Sequence, residues 1–247
     1  MTEAATTPPA AVGPEEKSGL WLALRVFDEP GQVFQQLARR PRVLTPMLLI
    51  LVVAAITSFL IPTSVMQDAA RKQIEAVERV APGAMTPERR DQALAKAGSV
   101  AARLQTTAAV SIGFMVMLLF STLIFWIIFS LSGGEVKFKD ELSIMLHANM
   151  AGLLGYAVVV ALSPITRDLQ FNLGFAFLFE PGTFLRRFSQ FLTVFAFWQM
   201  YLLALGNQIK TKARGIGGPL AIVVVVWVVF GLAGAALGGL FGGMMGG

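Results

Sequence analysis

Five stretches of the chain are apolar for long enough to cross a bilayer, and the charged residues fall into the gaps between them. A hydrocarbon core about 30 Å thick requires ~20 apolar residues in a helix. The stretches run from Val43 to Ile61, from about Thr106 to Leu131, from about Ile144 to Ser163, from Ser189 to Gly206 and from Pro219 to about Phe241. None of them contains Lys, Arg, Asp or Glu. The pattern predicts an all-α integral membrane protein, a five-transmembrane-helix bundle with interfacial helices and an extramembrane helical hairpin.

The polar gaps carry their own patterns. Residues 21–41, WLALRVFDEPGQVFQQLARRP, mix Leu22, Val26, Val33, Phe34 and Leu37 with charges, which predicts short helices lying in the membrane interface. In 62–105, Thr86, Pro87 and Glu88 suit the N-cap, first position and first-turn acid of a helix. Ala81-Pro82-Gly83 breaks that segment into a hairpin, whose arms are expected to continue spans one and two beyond the bilayer. Gly133 and Gly134 can supply the positive φ that ends span two. Glu135, Lys137, Lys139, Asp140 and Glu141 are then expected at headgroup level, the last two acids in the first turn of span three. In 169–188, Phe171, Leu173, Phe175, Phe177 and Phe179 alternate with smaller residues, and period two predicts extended chain. An unpaired strand cannot sit in lipid, so this segment should lie at the interface or on protein. It reads as an interfacial anchor or, more sharply, as a lipid-contacting lip.

Composition agrees with the pattern. Hydrophobic residues make up 55% and charged residues 14%, with a mean hydropathy of +0.67; a soluble domain carries roughly 25% charged residues. Cysteine is absent and histidine occurs once. That excludes disulfides, thiolate metal sites and centres built on several histidines, and no metal or cofactor is expected. A net charge of +5, spread along the chain, suits an anionic membrane surface and not nucleic acid. Residues 1–19 are polar and of low complexity, without the apolar core of a signal peptide, and read as a disordered tail. Residues 242–247 read as a glycine-rich tail.

Orientation follows from clusters more than from counts. With the N-terminus inside, ten Lys and Arg fall on each side, so the positive-inside count is a tie. Arg39, Arg40 and Arg42 precede span one, and Lys210, Lys212 and Arg214 precede span five with no acid among them. These dense clusters favour a cytoplasmic N-terminus and are the candidate lipid-headgroup contacts. Span five also carries Gly231, Gly234, Ala235, Gly238 and Gly242 at three- and four-residue steps, a face on which another backbone can approach closely. The stripe fits packing within the chain or a homodimer.

The order of these features resembles the Yip-one domain family of five-span membrane proteins, named for binding Ypt/Rab GTPases, and is closest to its bacterial branch. The stretches that carry the resemblance are FDEPGQVFQQLARRPRVLTPMLL, LSGGEVKFKDELSIMLHANM, LGYAVVVALSP and FLTVFAFWQMYLLALG. Gly155 and Tyr156 are similar to the family's glycine–tyrosine pair, a candidate packing site. The Asp-Leu-Tyr-Gly-Pro signature of eukaryotic members is absent, which argues against a Rab-type GTPase as partner. The resemblance implies a Yip-type membrane domain over 20–241 and a bacterial cytoplasmic (inner) membrane location. It implies lipids, and a second copy or other membrane proteins, as partners. In the family the Gly-Gly-x-x-x-Phe stretch recurs as a turn, which makes Phe138 an interfacial anchor.

Few residues invite chemistry. His147 lies four residues after Ser143, but nucleophilic catalysis also needs an oriented base and an oxyanion site, and no Gly-x-Ser-x-Gly elbow exists. His147, Asn149 and Gln199 are the candidate polar intramembrane residues, whose usual role is interhelical hydrogen bonding at ~0.6–2 kcal/mol each. A non-enzymatic protein that organises membranes or recruits partners is the leading reading. A small transporter or lipid-handling permease is the alternative.

Overall fold

The computed structural model describes residues 18–166, 173–180 and 183–244. All but the end of the 1–19 tail, the last residues of the glycine-rich tail, and Phe171 and Asn172 of the phenylalanine-rich segment lie outside the described residues.

Every regular element among the described residues is helical: α1 (Gly19–Arg25), α2 (Pro30–Arg39), α3 (Leu44–Phe59), α4 (Thr63–Val80), α5 (Pro87–Ala97), α6 (Val100–Leu131), α7 (Phe138–Thr166), α8 (Phe184–Ser189), α9 (Val194–Thr211) and α10 (Gly217–Met244). Hydroxyl residues start many of them. Ser18, Thr86, Ser99, Thr183 and Thr193 each accept a hydrogen bond from a first-turn amide, satisfying donors that the helix itself leaves orphaned. Gly133 takes φ +87° where α6 ends. Gly134 serves the same turn by its size, because a Cβ there would fall 2.8 Å from Thr211 Cγ2.

α9 is the hub of the bundle and packs on α7, α2 and α10; α3 packs on α6 and α7. The core joins Phe34, Ile50, Phe129, Leu146, Leu202 and Leu203 into one cluster. The outer faces stay apolar and exposed, as with Val52, Ile112, Val116, Val225 and Val229. A surface of that kind is stable only against lipid.

Among the described residues, α6, α7 and α10 are each long and apolar enough to cross a membrane, and α3 with α4 makes a fourth candidate as a bent pair. α9 falls short in hydropathy because Gln199, Asn207, Gln208 and Lys210 lie along it. α3 alone has 16 residues, about 24 Å at 1.5 Å per residue.

Four expectations are corrected. The first arm of the hairpin does not continue span one, because α4 turns 83° away from α3. Pro62 stands at that break as the N-cap of α4, and Arg103 caps the freed carbonyls of Phe59 and Ile61 at 2.7 Å each. The apolar residues expected to face the interface turn inward instead: Leu22, Val26, Val33, Phe34 and Leu37 are buried in the main core, while Leu20 and Leu24 of α1 stay exposed. Span four does not begin at Ser189, where α8 ends; α9 starts only at Val194. The phenylalanine-rich segment is not continuously extended, since Phe175–Leu178 forms a 3-10 turn. Gly174 before it pairs with Thr193 in an isolated antiparallel bridge. Phe175, Phe177 and Leu178 all remain exposed, and Phe175 also meets Phe197 edge to face at 6.5 Å.

Candidate functional site

At one end of the bundle the C-termini of α2 and α9 meet the N-terminus of α7. Asp140 accepts a hydrogen bond from the backbone of Lys137 at 3.0 Å and pairs with Lys210 at 2.9 Å. Lys210 also donates to the carbonyl of Ala38 at 3.2 Å. Its ammonium is committed to the protein; Arg39, Arg40, Lys212 and Arg214 are exposed on the same end, and Arg42 is half-buried. Two basic clusters far apart in sequence thus share one face.

One turn deeper lies a polar cluster that the pattern of apolar spans conceals. Glu141, expected at headgroup level with Asp140, is fully buried, and Asp140 is nearly so. Asn207 Nδ2 donates to Glu141 Oε1 at 3.2 Å and to the Leu203 carbonyl at 3.1 Å. Glu141 Oε2 and Asn207 Oδ1 are buried without a partner in the protein. An acid in the first turn of a helix ordinarily faces solvent, so its burial was legible only in the neighbouring Asn207 on a helix still to be docked.

Ser143 and His147 do not form a dyad. The Ser143 hydroxyl donates to the Arg42 carbonyl at 2.9 Å and accepts from the Arg42 amide at 3.1 Å, tying α7 to the start of α3. His147 Nδ1 donates to the Ser143 carbonyl at 2.7 Å, which sets the tautomer, and the buried Nε2 has no partner in the protein. The hydroxyl and the ring therefore serve different neighbours.

At mid-depth, Gln199 Nε2 donates to Asn149 Oδ1 at 3.0 Å, joining α9 to α7, and Asn149 Nδ2 donates to the Met145 carbonyl. Gly155 and Tyr156 join three helices. A Cβ at Gly155 would fall 2.8 Å from Phe195 of α9, and Tyr156 Oη lies 3.1 Å from Ser58 Oγ of α3. Along the small-residue stripe, Gly231 and Gly234 meet Phe188 and Phe191 of the same chain, with hypothetical Cβ contacts of 3.0 and 2.8 Å. Ala235 is buried. The surroundings of Gly238 and Gly242 lie outside the described residues.

An all-helical bundle with apolar outer faces, charges gathered at its ends and amides bonded between its helices is an integral membrane protein. The family model of the Yip1 domain matches residues 24–238. The chain belongs to that family, the Yip-one family of the resemblance above. No curated protein and no solved structure matches the chain.

Proposed function

We propose that this Yip1-domain protein is a non-enzymatic organiser of a bacterial cytoplasmic membrane, working through its basic face on anionic lipids and on other membrane proteins. The reading takes α3 and α9 as crossings beside α6, α7 and α10, with the N-terminus cytoplasmic and the hairpin of α4 and α5 on the far side. The observation that carries it is the convergence of the Arg39–Arg42 and Lys210–Arg214 clusters through the contact of Lys210 with Ala38. Each near-surface charge attracts an anionic leaflet by about 1 kcal/mol, less as salt rises. Absence of the Rab-associated signature supports partners other than a Rab-type GTPase.

The test uses the full chain reconstituted in vesicles of mixed neutral lipid and phosphatidylglycerol. Replacing Arg39, Lys212 and Arg214 together with Gln should abolish enrichment of labelled phosphatidylglycerol around the protein at low salt. Thermal stability should not change, since Lys210 is kept. Cross-linking in native membranes should capture a membrane protein partner, and the same replacement should reduce the yield. Unchanged lipid enrichment would overturn the reading. So would saturable solute flux that survives the replacement and is lost on changing Asn149 or Gln199, which would establish the transporter instead.

A further inference from the structure

Two chambers lie inside the bundle, and they differ in polarity and in depth. The larger, about 510 Å³, lies at mid-depth between α6, α7, α9 and α10, and its walls are mainly apolar, with Phe114, Leu118, Phe125, Val226 and Phe230 among them. Asn149 and Gln199, the bonded amide pair, stand on its inner wall. The smaller, about 290 Å³, lies beside the junction of α8 and α9, where Tyr156, Gln190, Thr193 and Gln199 contribute polar groups. Phe191, Gln199 and Trp227 line both chambers, which therefore adjoin. Among the described residues no charged side chain lines either one. Both volumes are on the scale of small-molecule sites, which span roughly 300–1,000 Å³.

The entry side faces lipid. Met117 and Ala233 line the larger chamber and are also exposed on the outer surfaces of α6 and α10. Across that opening the two helices touch through Phe120 and Phe230, edge to face at 6.2 Å. The smaller chamber sits near the first residues of α9, whereas Lys210 and the basic face lie at that helix's last turn. Moving from the end opposite the basic face toward mid-depth, the lining therefore changes from polar to apolar. A lipid in the leaflet on that side has the same gradient, head at the surface and chain toward the midplane. Gly152 keeps the amide accessible, because a Cβ there would stand 3.1 Å from Gln199 Oε1.

We propose that the paired chambers bind one neutral lipid of that leaflet, entering sideways between α6 and α10. Its hydroxyl or ester head lies in the smaller chamber against Gln199, and its acyl chain fills the larger one. The described lining offers no cation and so selects a glycerol-type head over a phosphate-bearing one, because a buried phosphate without a cationic partner would lose its hydration uncompensated. This site goes beyond the basic face and does not depend on what that face recruits.

The probe is monopalmitoylglycerol carrying a photoreactive diazirine in its chain, added to the full chain in nanodiscs. Label should saturate, map to Met145, Leu203 or Phe230, and be displaced by unlabelled monopalmitoylglycerol at least tenfold better than by lysophosphatidylglycerol of equal chain length. Ala233→Trp, which fills the larger chamber from its exposed wall, should cut labelling at least fivefold. Gln199→Leu should erase the preference for the glycerol head while leaving chain labelling. Label that does not saturate, or that spreads over outward positions such as Ile112 and Val225, would overturn the proposal in favour of annular lipid only. Equal or better displacement by the anionic lipid would also overturn it. The wild-type competition decides the matter even if Ala233→Trp fails to fold.

Discussion

Asp140 and Lys210 form an ion pair at the rim of the core, with side-chain exposures of 8% and 17%. Removing one partner of such a pair strands the other charge, which costs about 3–5 kcal/mol when burial is complete. Asp140→Asn is therefore expected to lower stability by about 3 kcal/mol, at the low end because Lys210 keeps the carbonyl of Ala38. Asp140→Asn together with Lys210→Met should recover much of the loss, since no charge is then left unpaired. Thermal melting in detergent measures both. A loss below about 1 kcal/mol for the single variant would mean that water screens the pair as it does at an open surface. Glu141 is held more severely, with the neutral amide of Asn207 on one oxygen and the other oxygen orphaned. His147 is equally enclosed, but its bond to the Ser143 carbonyl and the engagement of the Ser143 hydroxyl by Arg42 give it a structural place.

At the scale of elements, α5 stands on its cap. Thr86 Oγ1 accepts from the Arg89 amide, Pro87 opens the helix, and Glu88 occupies its first turn. No residue of α5 is buried, so its local order rests on capping and on the ion pair between Arg90 and Glu78 of α4. The Glu88 carboxyl is held below its ordinary 4.5, first by a hydrogen bond from its own backbone amide and then by the Thr86 hydroxyl. A lowered acid contributes order at pH above its ordinary value and loses that contribution as pH falls through the lowered value. Amide exchange in α5 should therefore be slowest near neutral pH, after correction for the intrinsic rate, and its protection should fall in acid, below the ordinary glutamate value. Thr86→Ala should reduce that protection by about 1 kcal/mol at neutral pH and remove part of the acid dependence. Equal protection in the two proteins at both pH values would show that the cap does not hold the helix.

For the whole molecule, the prediction is topological. The chain has no cysteine, so a single introduced thiol reports its own side. Residue 95 lies on the exposed hairpin and residue 15 precedes α1. With the proposed orientation, Ala95→Cys reacts with an impermeant maleimide in intact cells, and Glu15→Cys reacts only after the membrane is opened. The reverse result would invert the protein and place its basic face outside. Reaction of both in intact cells would mean an even number of crossings before α5, and α3 would then not span.

How much of this was legible in the amino-acid order depends on the range of the forces involved. Long charge-free runs determine that α6, α7 and α10 lie in lipid, because the penalty for a charge there applies residue by residue and needs no partner. The Thr86-Pro87-Glu88 cap and the Gly133 turn were readable for the same reason: each is settled within a few residues. The phenylalanine alternation misled because the 3-10 turn at Phe175–Leu178 answers to its neighbours, Gly174 bridging to Thr193 and Phe175 meeting Phe197. The direction in which α1 and α2 turn their apolar faces was undetermined, since lipid and a protein core reward the same amphipathic stripe. Glu141 and Lys210 are the sharpest cases. Local pattern assigns both to the headgroup layer, and only the docking of α9 against α7 and α2 supplies Asn207, Asp140 and Ala38 as partners. The chambers between α6, α7, α9 and α10 were likewise invisible in the order of residues, because a void belongs to the space between helices and is decided when they pack.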